Sequence, residues 1–171
     1  CLQRSYTEAR IGHMQESLDA LERSKEFQDP YTKVDYNLLS GHVYLLFQHR
    51  DKALECFTKA LANAEDHLHT MRTIAQVFMD CQDFLTASDI LREIEEMAQR
   101  PEYEDTRAEA IKAICPAQAY CYYQTGHKAE FLHYLQMAIA LNPKDTQIFF
   151  RDIFPKEARV EDYLYYANGL E

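Results

Sequence analysis

Glycine, proline and tryptophan are scarce or missing, and no apolar run is long. The chain has 4 glycines, 5 prolines and no tryptophan in 171 residues. Both glycine and proline interrupt helix interiors, so their scarcity predicts long helices joined by short connections. A membrane-spanning helix needs about 18 consecutive apolar residues, and no stretch reaches that, so no transmembrane segment is expected. No signal peptide is read at the start of the sequence. There is no CxxC pair, no glycine-rich phosphate loop and no nucleophile motif. Cofactor-dependent and nucleophilic catalysis therefore find no foothold, and neither an enzyme nor a cofactor is expected.

Basic clusters are also missing. Acidic residues outnumber basic ones 28 to 18, for a formal charge of −10. Nucleic acid would be repelled by such a chain, whereas a basic peptide or protein surface would be steered toward it. The five cysteines, Cys1, Cys56, Cys81, Cys115 and Cys121, are odd in number and irregular in spacing. Cys56, Cys115 and Cys121 fall within apolar helical patterns, which predicts buried free thiols in a reducing compartment and a cytoplasmic protein. The alternative is a lipid-anchored or periplasmic protein in which Cys1 is the lipid-bearing first residue of a bacterial lipoprotein. Ser5-Tyr6-Thr7-Glu8 reads as a capping box rather than a polar tether. With no initiator Met, a fragment of a longer chain is preferred, and Leu170-Glu171 would fit a cloning scar.

Apolar residues recur three and four apart along most of the chain. Ile11, Met14, Leu18 and Leu21 place a first helix that ends at Asp29-Pro30. Further helices are expected over 33–48, 52–64 (capped by Asp51), 67–79 and 84–98. A capping box at Thr106-Arg107-Ala108-Glu109 opens a helix toward Tyr123, which Pro116 must kink or restart. Helices over 127–141, 146–153 and 157–168 complete the set. No segment alternates with period two, so no sheet is expected and the fold class is all-α.

Self-comparison adds a longer period. Gly41, Tyr44, Ala53, Phe57 and Ala60 recur 34 residues later as Ala75, Phe78, Ala87, Leu91 and Ile94, and a further 44 later as Ala119, Tyr122, Phe131, Leu135 and Ala138. The order is kept: small, aromatic, small or bulky, large apolar, apolar. Over residues 34–145 this resembles the tetratricopeptide repeat, whose 34-residue unit pairs two helices through such positions. Gly126 at a turn and Leu141-Asn142-Pro143 at a repeat end match the family. Its first-helix tryptophan is Asn37, Met71 and Cys115 here, its terminal proline is Glu65 and Gln99 in the first two copies, and Phe131 stands where a small residue is usual.

The resemblance implies an α–α superhelix forming one domain over 1–171. Its parts would be a leading helix over 1–31 (or the second half of a degenerate earlier repeat), repeats over 34–67, 68–101 and 106–145, and a C-terminal cap over 146–171. Val160, Tyr163, Leu164 and Ala167 on one helical face suit that cap. The resemblance further implies a scaffold that binds another protein or peptide, a basic one by charge, through the concave face lined by the first helix of each pair. His42, Arg72, Gln76, Tyr120 and Tyr123 are the residues expected to make that contact. Truncating Tyr120 or Tyr123 should abolish capture and leave the fold intact. The places that hold a carboxylate clamp in one branch of the family carry Asp35, Leu39, Thr73, Ala113 and Ala117, so no such clamp is expected. The alternative is a structural or oligomerising segment packing on another copy through Tyr163–Tyr166. Glu93, Glu95 and Glu96 read as a solvated face. His67 and His69 diverge on a helix, and Cys115, Cys121, His127 and His133 point around one, so no metal site is expected.

Overall fold

The computed structural model describes residues 14–24 and 30–170. Cys1, the capping box at Ser5–Glu8, Ile11, Asp29 and Glu171 lie outside the described residues. All regular structure among the described residues is helical. The chain divides into two compact units, 1–81 and 82–171, with the boundary inside the expected second repeat.

The first unit contains α1 (Met14–Ser24), α2 (Pro30–Leu46), α3 (Arg50–Asn63) and α4 (His67–Asp80). Pro30, expected with Asp29 to mark the end of the first helix, opens the next one three residues before the expected start at 33; its fixed φ and missing N–H suit the first helical position. Leu21 of α1 packs on Val43 of α2, with Leu18, Leu39 and Phe47 at the edge of that small core. α2 and α3 form a tight hairpin. A Cβ added to Gly41 would collide with the ring of Phe57, so the absent side chain is what lets the two helices approach. Ala53 and Ala60 of α3 are fully buried. Phe57 then meets Phe78 of α4 with ring centroids 5.6 Å apart. The Asp66 side chain caps α4 by accepting from the His69 N–H at 3.0 Å. Asp51, expected to cap α3, lies in its first turn; His49 holds the cap position without a side-chain bond.

The second unit contains α5 (Phe84–Met97), a 3-10 turn (Pro101–Tyr103), α6 (Arg107–Gln124), α7 (Lys128–Leu141), α8 (Pro143–Phe150), a second 3-10 turn (Val160–Asp162) and α9 (Tyr163–Asn168). Asp83 caps α5 through the Thr86 N–H. The expected capping box at Thr106 does not form: its hydroxyl donates to the Tyr103 carbonyl, and Arg107 turns back to donate to the Ala98 and Gln99 carbonyls at the end of α5.

α6 runs through Pro116 without a break. Proline lacks the N–H that would bond the carbonyl four residues back, which is that of Lys112. The amide of Asn142 donates to that carbonyl at 2.9 Å while its own oxygen accepts from the Asp145 N–H and caps α8. Asn142-Pro143 ends α7 as expected, and Pro143 also starts α8, three residues before the expected start at 146. The helix expected over 157–168 shortens to α9, behind the 3-10 turn. Phe150, Phe154, Tyr163 and Ala167 are buried together with Phe131 and Leu135 of α7. Lys128 at the start of α7 donates to the Leu170 carbonyl at 2.6 Å and holds the end of the chain against it.

Candidate functional site

On the first unit, α2 and α4 carry three of the residues expected to contact a ligand. His42 is 8% exposed, which withdraws it from the accessible set. Burial lowers its pKa below the ordinary histidine value, and the charge of Asp80 only partly opposes this. The other two lie in the open. Gln76 donates to the Asp80 carboxylate at 2.9 Å, one turn along α4. Arg72 lies 3.2 Å from Nδ1 of His69. A guanidinium can only donate, so the ring nitrogen is the acceptor in this contact. His69, Arg72, Gln76 and Asp80, spaced three, four and four apart, form one exposed polar face of α4, donor-rich at its start and acidic at its end.

On the second unit, Tyr120 and Tyr123 are half-buried. Tyr120 packs against Phe84, Phe149 and Phe150 at centroid distances of 5.7, 5.5 and 5.9 Å. Tyr123 packs against Phe131 at 5.3 Å and Phe150 at 6.3 Å. Both form the rim of an aromatic core centred on Phe150, so truncating either would remove packing from that core. Phe84 and Phe149 were not singled out in the sequence; only the packing of α5 and α8 around α6 gives them a part in this rim.

Glu95 departs from the solvated face expected of it. Exposed Glu93 and Glu96 fit that face, but half-buried Glu95 accepts from Gln118 and from the Tyr134 hydroxyl, both at 2.8 Å. Gln118 is 1% exposed, and its amide oxygen has no partner. Burial, reinforced by the bond to Glu95, pushes the Tyr134 phenol well above its ordinary value, so it stays protonated and donating. Tyr122 stacks on the same ring at 5.4 Å. This knot ties α5, α6 and α7 together.

Among the described residues the thiols divide into two classes. Cys115 and Cys121 are buried, and burial raises their pKa to about 11 and about 12. Cys56 and Cys81 are half-buried, which corrects the expectation of a buried Cys56. Among the described residues no group of His, Cys, Asp and Glu gathers to hold a metal ion, and no helix is long and apolar enough to cross a membrane. No protein-family model, curated protein or solved structure matches this chain.

Proposed function

We propose that the chain is a helical-repeat scaffold of the tetratricopeptide type that holds another protein or peptide and performs no catalysis. The observation that supports this best is a backbone turn that recurs with the sequence repeat. Among the described residues the positive-φ positions are Gln48, Gln82 and Gly126, with φ of 63, 62 and 77°. They stand at the same offsets, 34 and then 44, as the recurring small and aromatic residues. The helix cap after each has nearly the same torsions: φ −93, ψ 67 at His49; φ −92, ψ 74 at Asp83; φ −90, ψ 81 at His127. Of the fifteen recurring side-chain positions, only Tyr44 and Tyr122 are not fully buried.

In this reading the exposed α4 face with Arg72 and Gln76 is one contact surface, and the rim of Tyr120 and Tyr123 is a second, on the other unit. The charge of −10 favours a basic partner. Selection from a displayed random peptide library tests the proposal. Basic peptides should be enriched, their binding should weaken as salt rises, and Gln76→Ala with Asp80→Ala should cost about 2 kcal/mol or more if these are anchors. Tyr120→Phe and Tyr123→Phe probe the rim without emptying the aromatic core. Enrichment of no peptide, or of peptides indifferent to all these substitutions, would remove the concave-face assignment.

One observation favours the second reading, self-association. Tyr165 is 81% exposed and Tyr166 is exposed beside it, at a cleft of about 540 Å³ lined by Ile153, Pro155 and Leu170. Tyr163 cannot share that role, because it is buried 4.5 Å from the Phe154 ring. Light scattering of the parent and of Tyr165→Ser decides: a dimer lost in the variant supports this reading, and a monomeric parent ends it.

A further inference from the structure

We propose that the cleft bounded by α1, α2 and α3 binds a compact organic polyanion, a small molecule carrying several phosphate or carboxylate groups. The cleft has a volume of about 610 Å³, within the range of about 300–1,000 Å³ usual for small-molecule sites. Lys33 of α2 and Lys52 and Lys59 of α3 line it. In a chain of charge −10 this is a local reversal, since among the described residues the carboxylates lining the cleft are Glu22 and Glu55.

The three ammonium groups are exposed, and none is in an ion pair among the described residues. Glu55 lies three residues after Lys52 and four before Lys59, the spacing at which helical side chains pair, yet it bridges to neither. Lys52 is held at the wall instead, its Nζ 5.6 Å from the centroid of the Tyr44 ring. Lys52 and Lys59 are two turns apart on one face, about 10 Å along the axis at 1.5 Å per residue. That separation calls for a ligand with more than one anionic group rather than a single ion. On the floor, Asn37 gives one N–H to the Lys33 carbonyl and Ser40 donates to the Tyr36 carbonyl, so the positive charge of the cleft comes from the lysines.

Charge also decides the size of the ligand. A long acidic peptide would extend beyond the cleft into the field of a chain of charge −10, where it is repelled. A compact anion inside it feels chiefly the groups within a Debye length, about 8–10 Å at physiological salt. This inference is independent of the peptide-binding reading, which concerns other surfaces.

Titration calorimetry with pyrophosphate and with citrate tests it, and the two probes separate a phosphorylated from a polycarboxylate ligand. Saturable binding of either is expected. Lys33→Gln, Lys52→Gln and Lys59→Gln combined should abolish it, and each alone should weaken it by about tenfold, the value of one charge-assisted hydrogen bond. Lys156→Gln, on the other unit, should leave it unchanged. Glu55→Gln removes a competing carboxylate and should tighten binding, a result that does not depend on the triple variant folding. The proposal is overturned if neither probe binds saturably, if the triple variant binds like the parent, or if an oligoglutamate peptide binds more tightly than both.

Discussion

The α2–α3 and α6–α7 hairpins turn through nearly the same backbone path and fill the space between their helices in different ways. In the first, glycine meets phenylalanine: Gly41 leaves room for the Phe57 ring, which goes on to touch Phe78 of the next helix. In the second, the same places hold Ala119 and Leu135, and the bulk has moved to Phe131, where the first hairpin has Ala53. Phe131 remains buried and reaches Phe150 of the following helix at 5.8 Å. The backbone turn is thus compatible with more than one distribution of volume. What both hairpins keep is an aromatic ring on the second helix that docks on a ring in the helix after it. Only the second hairpin carries Pro116 in its first helix, and only it follows its second helix with an asparagine; Ala64 and Ala98 stand at the corresponding places in the other copies.

The largest effect should come from Phe131→Ala, which empties the aromatic core of the second unit and should cost about 3–5 kcal/mol in chemical denaturation. A loss below 1 kcal/mol would mean that Phe131 is a tolerated oddity and that the contrast between the hairpins is superficial. Asn142→Ala should cost about 2 kcal/mol, because it removes a helix cap and leaves the Lys112 carbonyl with only the weak Cys115 thiol donor at 3.5 Å. In a Pro116→Ala background the helix supplies its own N–H, and the same substitution should cost roughly half as much. Additive effects would sever the link between proline and asparagine. Gly41→Ala should destabilise the first hairpin by about 1–2 kcal/mol through overpacking. Adding Phe57→Leu writes the other hairpin's pair into this one, and a coupling of opposite sign should appear in the double-mutant cycle. The smallest effects belong to the turns. Gly126→Ala should cost about 1 kcal/mol at a left-handed position, whereas Gln48→Gly should gain somewhat less than that.

Most of the helical layout was legible because local signals agreed. The apolar spacing over 67–79, 84–98 and 127–141 matches α4, α5 and α7 closely, whereas the caps Asp66 and Asp83 were not read in the sequence and Asp51 lies inside the first turn of α3. Pro30 and Pro143 mark the boundaries expected of them, but each also opens the following helix, three residues earlier than the apolar spacing places it. Thr106 shows why a capping box is not self-sufficient, since its hydroxyl and the neighbouring Arg107 answer to the preceding turn. The sites were less legible. Glu95 looks solvated until Gln118 and Tyr134, 23 and 39 residues away, close over it. His42 has the spacing of an accessible residue, and burial removes it. Tyr120 and Tyr123 share a face as their spacing requires, but the rings of α5, α7 and α8 that half-cover them come from elsewhere in the sequence. The lysine cleft depends on α2 and α3 lying side by side, which no linear pattern of lysines displays.

The sealed thiols of α6 give the protein a built-in kinetic reporter. With their pKa raised to about 11 and about 12, Cys115 and Cys121 are almost wholly uncharged at neutral pH and shut off from reagent. A thiol-specific label can reach them only when the surrounding helices part. Their modification rate, divided by that of an unstructured cysteine peptide, therefore gives the equilibrium constant for local opening when reclosing outpaces labelling. Half-buried Cys56 and Cys81 should react first, which separates the two signals in time. Followed by mass spectrometry, the slow phase would give the opening free energy of the second unit's central helix without an engineered probe.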